Sequence, residues 1–512
     1  MRFSISTLGC KVNQYESQEI VNILVSRGHS HVKTGDGCDI CIINTCAVTA
    51  ESTRKSRQAV RRLAMREPDA LIAVCGCYSQ LEPEAAALLG ADIIGGSGGK
   101  EEFALELERV YDERTANTTG TSYALGTSVD ANIVNPSQNT KAPDKDKDKD
   151  KDKQNGRTRA LLKIQDGCDN FCAYCVIPYA RGRSRSIQPE LVSKNARQIK
   201  AAGYKEIIIT GIEISSYGKD LVSKSAVSLS FAKDSHSFGK DLSSCVAAPP
   251  SCGKESSFIK EDIVSVENDL KDGGMTLINS DLTLKKNALT LIDAVREISC
   301  SAPDLRLRLG SLDPGKISEK MIEELREIPD LCPHFHLSLQ SGCDETLRRM
   351  GRRYDTQHVL EIIEGLRRHF GDCFIASDLI VGFPGETDEE FNQTIEFIIA
   401  AKFTAMHIFP FSSRAGTRAA EMPDHVQKQL RHERAVIANE LAKNLSLEFK
   451  RSQIGKIADV LFEQKQEGLW TGYSGNYLEV KALSGGERNM RCKIQLTALE
   501  NDVLLGDILT VI

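Results

Sequence analysis

The sequence predicts an α/β protein with three folded parts. Strands and helices alternate along residues 1–115 and again along residues 157–446. This alternation is typical of an N-terminal parallel sheet covered by helices and of a central partial βα barrel. Residues 447–512 instead contain short strands separated by glycine turns, which predicts a small C-terminal β-barrel. Two polar stretches, 116–156 and 218–287, interrupt this order.

Length and charge exclude some classes of protein. The chain has 512 residues, enough for about two to four domains with hydrophobic cores. Its 65 basic and 71 acidic residues give a net charge of −6, so any site for a polyanion has to be local. No apolar run approaches the length of a membrane span, and the chain opens directly into a strand pattern. We therefore expect no signal peptide, no membrane association and a cytoplasmic location.

The chain contains 16 cysteines, many of them in tight sets beside predicted strands. A disulfide framework would spread its cysteines through a short secreted chain, whereas sets of this kind are typical of metal ligation in a reducing compartment. The cysteines therefore favour a metal-binding protein.

The clearest set is the loop at residues 167–175, where Cys168, Cys172 and Cys175 are spaced CxxxCxxC just after a predicted strand at 161–165. Three thiolates on one short loop can hold three irons of a 4Fe-4S cluster and leave the fourth iron open. A zinc knuckle and three ordinary buried thiols are the alternatives. Structural zinc usually takes four ligands in separated pairs, and no fourth cysteine or histidine is nearby.

A second set is spread through the N-terminal domain. We predict strands at 3–8, 39–44, 71–74 and 91–94, and helices at 13–27, 51–65 and 82–89. Cysteines follow the first three strands at Cys10, Cys46 and Cys77. Because open parallel sheets bind ligands at the carboxyl ends of their strands, these thiols are candidates for a second three-cysteine cluster. Three nearby cysteines could fill the same role: Cys38, Cys41 and Cys75. The simpler interpretation is that these thiols are small residues of the buried core.

The central domain has six predicted strands, at 161–165, 207–210, 306–310, 334–339, 375–381 and 405–409. Barrel chemistry lies at the carboxyl ends of such strands. Gly382 and Gly385 allow the backbone to approach a cofactor closely, and the following Glu386 and Thr387 also suit a helix start. The candidate cofactor-binding residues at these ends are Thr210, Gly211, Ser311, Gln340, Ser341, Gly382 and Gly385.

The two polar stretches have few residues that could form a core. Residues 116–156 include an alternating Asp-Lys run, and we expect a disordered linker. Residues 218–287 separate segments that would make sense if joined directly, which predicts a mostly disordered insertion in a barrel loop. Cys245 and Cys252 in the insertion are either ligands or, more simply, stray thiols.

Local basic groups offer places for a nucleic acid backbone, although solvated surface is the ordinary alternative. These groups are Arg54, Arg57 and Arg61 after Cys46, then Arg181, Arg183 and Arg185, and then Arg348, Arg349, Arg352 and Arg353. Near the C-terminus, aromatic side chains suit either base stacking or the core of a small barrel: Trp470, Tyr473 and Tyr477.

The CxxxCxxC loop is the motif of the radical S-adenosylmethionine (SAM) enzymes, and the chain resembles them there. The resemblance implies that the open iron chelates the amino and carboxylate groups of SAM. One electron then cleaves SAM to a 5′-deoxyadenosyl radical.

Three N-terminal motifs resemble the methylthiotransferases: LGCKVNQYE at 8–16, NTCAVT at 44–49 and GCY at 76–78. The resemblance assigns an auxiliary 4Fe-4S cluster to Cys10, Cys46 and Cys77, and it places VGFPGET at 381–387 around SAM. The form LGCKVN followed by glutamate is most similar to the MtaB branch, since the MiaB branch typically has GC-x-MN and the RimO branch GC-x-KN. The C-terminal segment resembles the RNA-binding TRAM domain.

The resemblance implies a cytoplasmic radical SAM enzyme with two 4Fe-4S clusters. Such an enzyme adds a methylthio group to C2 of N6-threonylcarbamoyladenosine next to the anticodon of tRNA. It needs the anticodon loop as substrate, an electron donor such as flavodoxin or ferredoxin, and a sulfur donor. The alternatives are a MiaB-like enzyme for isopentenyladenosine, a RimO-like enzyme for a ribosomal protein, and a non-catalytic zinc-bearing RNA-binding protein.

Overall fold

The computed structural model describes residues 1–119, 158–221, 289–482 and 484–512. The expected linker and insertion, with Cys245 and Cys252, lie outside the described residues except at their edges. At one edge, residues 116–119 complete a helix, so regular structure continues four residues beyond the predicted start of the linker.

The N-terminal domain is built on a five-stranded sheet in which every strand pair is parallel, in the order β2-β1-β3-β4-β5. The four predicted strands are confirmed, and a two-residue edge strand is added. The inner strands β3 and β4 are buried along their whole length, as expected where helices cover both faces. The strands are β1 Arg2–Thr7, β2 Ser30–His31, β3 Ile40–Thr45, β4 Leu71–Gly76 and β5 Ile93–Ile94.

Five helices cover this sheet. One face packs Phe3 and Ile42 against Ile20 and Leu24 of the first helix, and a separate core lies on the other face. The last helix was not predicted, because charged residues surround its short buried stripe. The helices are α1 Lys11–Ser26, α2 Ala50–Arg66, α3 Cys77–Leu81, α4 Pro83–Ala87 and α5 Lys100–Thr119.

The central domain is a partial barrel of two parallel sheets, ordered β10-β9-β6 and β11-β12-β13-β14. The chain passes from one sheet to the other at Gly310, and all six predicted strands are confirmed. A two-stranded ladder of β7 and β8 stands apart. The strands are β6 Arg159–Lys163, β7 Gln165–Asp166, β8 Arg185–Ser186, β9 Glu206–Thr210, β10 Arg306–Leu309, β11 Ser311–Leu312, β12 His334–Gln340, β13 Phe374–Val381 and β14 Ala405–Pro410.

The strands of the second sheet have one apolar face and one polar face. Phe335, Leu337 and Leu339 of β12 are buried, whereas His336 and Gln340 between them are partly exposed. Because side chains alternate along a strand, the inner face of the partial barrel is polar and open. The helices of the central domain are α6 Ile177–Arg181, α7 Pro189–Ala201, α8 Leu291–Ser301, α9 Glu319–Arg326, α10 Asp344–Met350, α11 Thr356–Phe370, α12 Asp388–Ala401, α13 Arg418–Glu421 and α14 Lys428–Arg451.

The C-terminal segment forms a closed five-stranded barrel in the order β15-β16-β17-β19-β18. Closure leaves no unpaired strand edge. A small β-barrel is therefore confirmed, while its kinship with the TRAM domain stays a prediction. The sequence pattern predicts the last strand at 508–512, whereas it begins five residues earlier, at Val503. The strands are β15 Ile457–Gln466, β16 Leu469–Ser474, β17 Glu479–Ala482, β18 Arg491–Glu500 and β19 Val503–Val511.

The barrel packs against the central domain through a shared core and a buried ionic group. Phe374 and Ala376 of β13 belong to the same apolar cluster as the barrel interior. Arg308 donates to Glu206 Oε1 at 2.7 Å and to the carbonyl of Gly475 at 2.9 Å. The two units thus share one core.

The C-terminal aromatics lie in this packing. Tyr473 and Tyr477 stack on each other with ring centroids 5.2 Å apart, and Arg159 lies 4.7 Å over the Tyr473 ring. Trp470 packs against the apolar cluster of the barrel. The structure therefore favours the core interpretation of these three side chains over base stacking.

In the portion of the chain that the structure describes, no helix is both long enough and apolar enough to cross a membrane.

Candidate active site

The CxxxCxxC loop leaves β7 and runs into α6 at the carboxyl end of the first barrel strand. Gly167 begins it with φ +69°, and a Cβ there would lie 2.0 Å from the carbonyl oxygen of Arg183, so glycine is required. Gln165 fixes the loop to its neighbour: Nε2 donates to the carbonyl of Gly167 at 2.7 Å, while Oε1 accepts from the backbone of Glu213 at 2.8 Å. The loop is thereby held against the end of β9.

The three thiols of this loop are close enough to influence each other's charge. Burial, with a smaller contribution from a charge on Cys172, raises the pKa of Cys168 to about 11 and that of Cys175 to about 12. Thiolates in such surroundings need a compensating positive group, which a bound metal cluster supplies. The donor set therefore fits an iron-sulfur cluster.

Arg352 lies buried beside this loop, although the sequence pattern places it in an exposed basic group. Its side chain is 6% exposed, and it donates to Cys172 Sγ at 3.3 Å and to Asp313 Oδ1 at 2.9 Å. Asn170 of the loop donates to the other oxygen of Asp313 at 2.8 Å. Arg352 is thus a partner of the cysteine loop, and its predicted role in phosphate binding is wrong. A local signal for a buried partner is the carboxylate of Asp313, which lies two residues after the candidate Ser311 at the end of a predicted strand.

The neighbouring arginines also differ from the expected basic surface. Arg349 pairs with Glu390, and the exposed Arg348 pairs with Glu345. Arg353 lines a cavity of about 430 Å³ beside Cys172 and Cys175. Within this group of four arginines, Arg353 is the one that lines the cavity where a cofactor bound to the cysteine loop would lie.

The N-terminal cysteines converge as the strand order predicts. Cys10 caps α1 after β1, Cys46 follows β3, and Cys77 begins α3 after β4. A Cβ on Gly9 (φ +105°) would lie 2.8 Å from the Cβ of Cys46, so glycine lets the first two loops meet. Burial raises the pKa of Cys77 to about 11, and charges on Cys10 and Cys46 add to this effect. The structure therefore brings the three thiols to one edge of the sheet.

The rival cysteines lie elsewhere. Cys41 and Cys75 point into the two cores of the N-terminal domain and are at most 1% exposed. Cys38 lies 3.5 Å from the hydroxyl of Ser4. These positions confirm the core interpretation of Cys41 and Cys75.

Both cysteine sets are too wide for a single zinc ion. Tetrahedral zinc with bonds of about 2.3 Å holds its sulfur ligands about 3.8 Å apart. Among the described residues, three ligand-type side chains meet within 4.8 Å at Glu319, Glu323 and His369, and at neither cysteine set. This spacing suits a larger cluster better than a mononuclear site.

Arg181 joins the two sets. It ends α6, just after the CxxxCxxC loop, and its side chain is 0% exposed. The guanidinium donates to Asn13 Oδ1 at 2.6 Å and to Glu16 Oε1 at 2.7 Å, and its charge favours the thiolate of Cys77. Its predicted place on a tRNA-facing surface is wrong, whereas Arg183 is 74% exposed.

Glu16 is the carboxylate that holds this arginine. Burial alone would raise the pKa of Glu16, but Lys100, Arg181 and Lys163 outweigh burial and keep the pKa below its ordinary value. The side chain is therefore charged and fully buried between three cationic partners. The sequence signal for it is weak, since a glutamate six residues after a cysteine is common on any helix.

The predicted cofactor-binding residues all lie on the carboxyl side of parallel strands. Gln340 has a left-handed backbone with φ +75°. Gly382 has a packing reason for lacking a side chain, because a Cβ there would lie 2.1 Å from Cγ of Arg431. Thr387 and Glu390 form a capping box for α12, which confirms the helix start. The remaining members are Thr210 at the end of β9, Gly211 after it, Ser311 in β11, Ser341 after β12 and Gly385 after β13.

A three-cysteine loop at the end of the first strand of a parallel partial barrel defines the radical SAM class of protein. Comparison with family models agrees, because the model of the radical SAM superfamily matches residues 162–236 and 259–398. The model described as "Uncharacterized protein family UPF0004" matches residues 2–94.

Curated relatives narrow the class. Threonylcarbamoyladenosine tRNA methylthiotransferase MtaB of Bacillus subtilis is 32% identical over 93% of this chain and 88% of its own. The MtaB protein of Thermotoga maritima is 30% identical over 93% of this chain and 90% of its own. A tRNA-2-methylthio-N(6)-dimethylallyladenosine synthase of a Thermoanaerobacter species is 28% identical over 90% and 82%. The chain belongs to the MtaB family of radical SAM methylthiotransferases and is an enzyme.

Among solved structures, the radical SAM methyltransferase TsrM from Kitasatospora setae, with cobalamin and a [4Fe-4S] cluster bound, is 14% identical. It aligns with a TM-score of 0.48 over 82% of this chain and 77% of its own.

Proposed function

We propose that this enzyme transfers a methylthio group to C2 of N6-threonylcarbamoyladenosine next to the anticodon of tRNA. The observation that carries the proposal is the pair of three-cysteine sets in one chain, joined through the buried Arg181. The MtaB relatives, at up to 32% identity, support this nucleoside over the dimethylallyl one, whose synthase is 28% identical.

The cysteines have separate tasks in this proposal. Cys168, Cys172 and Cys175 hold a 4Fe-4S cluster that leaves one iron for SAM, and Cys10, Cys46 and Cys77 hold an auxiliary cluster where sulfur is presented. When bound, these groups would supply a SAM-derived radical that activates the C–H bond and a sulfur, methylated by a second SAM, that replaces its hydrogen. A poorly reactive aromatic carbon offers nothing to an acid–base pair, so radical chemistry suits the substrate.

The protein residues orient these groups. Asp313 receives hydrogen bonds from Asn170 of the cysteine loop at 2.8 Å and from Arg352 at 2.9 Å. Arg352 also donates to Cys172 Sγ, so the loop and the end of the second sheet are held in one arrangement. Outer hydrogen bonds of this kind fix metal ligands and tune the metal.

The target adenosine has to leave the stack of the anticodon loop to reach the two clusters. Arg57 and Arg61 on the exposed side of α2 and the exposed Arg183 support contacts with tRNA phosphates. An electron donor such as flavodoxin or ferredoxin and a separate sulfur donor complete the reaction, which we place in the cytoplasm with its tRNA.

Mass spectrometry of tRNA nucleosides tests the proposal in cells with and without the gene. We expect loss of 2-methylthio-N6-threonylcarbamoyladenosine and accumulation of its precursor, both restored by the wild-type gene. Loss of the 2-methylthio isopentenyl nucleoside instead would move the enzyme to the other tRNA branch. An unchanged nucleoside profile would contradict a tRNA substrate and direct attention to ribosomal proteins.

A further inference from the structure

The inner face of the central barrel differs from that of a closed βα barrel. Closed barrels fill the interior with layers of bulky apolar side chains. Here the inward positions hold charged and polar groups, and several remain partly open to solvent, as the 15% and 26% exposures of the His336 and Asp378 side chains show. An open polar face of this kind is suited to a polar ligand.

Lys11 reaches toward this face from the N-terminal domain. It is the first residue of α1 and directly follows Cys10. Its electrostatic neighbours are Tyr477, Arg308 and Arg159 at the base of the barrel. The lysine therefore spans from the candidate auxiliary cluster toward the inside of the barrel.

Lys11 lacks the anionic partner that its neighbours have. Arg308 donates to Glu206 at 2.7 Å, Arg159 lies 2.6 Å from Glu463, and Lys163 lies 3.2 Å from Glu16. Within residues 1–119, 158–221, 289–482 and 484–512, no ion pair joins Lys11 to a carboxylate. Glu206 acts on the Lys11 ammonium electrostatically, but this carboxylate is already paired with Arg306 and Arg308. A half-buried ammonium without a counter-charge is unfavourable, and a ligand carboxylate would supply one.

Lys11 is also an electrostatic neighbour of His334, the first residue of β12, and this strand and its neighbours offer further polar groups. His336 lies between Ser311 Oγ, 2.7 Å from Nδ1, and Asp378 Oδ1, 3.3 Å from Nε2. The exposed ring of His407 has its centroid 5.7 Å from that of His336. Ser311 leads directly to Asp313, which is hydrogen-bonded to Asn170 of the cysteine loop. The polar wall thus adjoins the CxxxCxxC loop.

The threonylcarbamoyl group has the matching chemistry. It carries one carboxylate, one hydroxyl and a urea with N–H donors, and it is attached at N6 of adenine. C2 and C6, the carbon that bears N6, flank the same ring nitrogen, so an anchor for the substituent beside Cys10 keeps C2 close to the candidate auxiliary cluster.

We propose that the Lys11 ammonium binds the carboxylate of the threonylcarbamoyl group, with the rest of that group against the polar wall of His336 and Asp378. The inference rests on the proposed function and identifies the residue that selects an acidic nucleoside. Lys11 is a specificity-determining residue and takes no part in cleaving SAM.

Two substrates that differ only in the carboxylate charge test the contact with the Lys11 ammonium. The enzyme with its clusters reconstituted is given anticodon stem-loops that carry either threonylcarbamoyladenosine or its methyl ester, which lacks only the negative charge. Because hydrogen bonds to charged groups contribute about 1.5–3 kcal/mol, wild type should prefer the acid by roughly ten- to hundredfold in kcat/KM. Lys11→Met should act on both substrates at similar rates, and Lys11→Arg should restore much of the preference.

Controls separate this contact from structural damage. Lys33→Met removes a charge from an exposed position of the same domain and should keep the preference of wild type. Iron content and the electron paramagnetic resonance signals of both clusters should be unchanged in Lys11→Met. An acid-to-ester ratio in Lys11→Met or Lys11→Gln equal to that of wild type would overturn the inference. Failure of wild type to methylthiolate either stem-loop, while still cleaving SAM, would instead count against the proposed function.

Discussion

The guanidinium of Arg181 donates to Glu16 at 2.7 Å, and both side chains are completely buried. The two residues are 165 positions apart in the chain. One follows the CxxxCxxC loop, and the other follows Cys10 on α1. Together with the hydrogen bond from Arg181 to Asn13 and the pair of Lys163 with Glu16, this ion pair links the two cysteine sets.

Arg181→Met should destabilise the protein strongly. Breaking a buried ion pair costs up to about 3–5 kcal/mol, and Lys100 and Lys163 would compensate the remaining charge of Glu16 only in part. Urea unfolding followed by circular dichroism measures the change. Arg183→Met is the matched control, since Arg183 is 74% exposed and should shift the unfolding free energy by no more than about 0.5 kcal/mol. Equal effects of the two substitutions would contradict the role of Arg181.

Arg352→Met should slow SAM cleavage by roughly ten- to hundredfold, the usual effect of losing an outer partner of a metal ligand. The substitution removes the hydrogen bond to Cys172 and leaves Asp313 without its guanidinium partner. The rate of 5′-deoxyadenosine formation measures it, together with the resonance signal of the cluster. Arg348→Met, at an exposed arginine, should leave both unchanged.

The two cysteine sets should be separable by substitution. Cys172→Ala should abolish SAM cleavage, whereas Cys46→Ala should retain SAM cleavage and lose methylthiolation. Cys300→Ala, at an exposed position on α8, is the control and should retain both activities. If the Cys46 variant still formed methylthiolated product, the auxiliary site would have to lie elsewhere.

Glu206→Gln should weaken the junction between the central domain and the C-terminal barrel. Burial alone would raise the pKa of Glu206, but Arg308 and Arg306 lower it from 4.5 to about 2. A depressed carboxyl pKa stabilises the folded state above the unfolded pKa, and this stabilisation is lost as pH falls from about 4.5 toward 2. The full shift corresponds to about 3 kcal/mol at pH 7.

Urea unfolding at two pH values checks this expectation. The difference in unfolding free energy between wild type and Glu206→Gln should be about 1 kcal/mol smaller at pH 3.5 than at pH 7, because the unfolded carboxyl is then protonated. Glu319→Gln, at an exposed position, is the control. A difference that grew on acidification would contradict the assigned sign.

Strand order was enough to predict the fold and the meeting of Cys10, Cys46 and Cys77, because the carboxyl ends of parallel strands share one edge. Local charge patterns were not enough for Arg181 and Arg352. Each looked like part of an exposed basic group, and each finds its buried carboxylate only after the chain has folded. No spacing rule reveals a partner that lies 165 residues away in sequence.

Other differences have similar physical causes. The last N-terminal helix escaped prediction because its apolar contacts are few, with Phe103 and Leu107 among many charges. Tyr477 belongs to a C-terminal strand region yet packs on His334 of the central domain. Local sequence patterns therefore give little information about which residues form contacts between domains.

The core that Phe374 and Ala376 share with the C-terminal barrel has a practical consequence for engineering. A chimera could exchange residues 447–512 for the equivalent part of a relative. Its shared core would then contain cavities or steric clashes unless the facing positions of β13 were exchanged as well. The carbonyls that Arg308 reaches in the barrel impose the same requirement on the backbone of the turn at Gly475. A functional exchange therefore has to include both the C-terminal barrel and the strand ends of the central domain that pack against it.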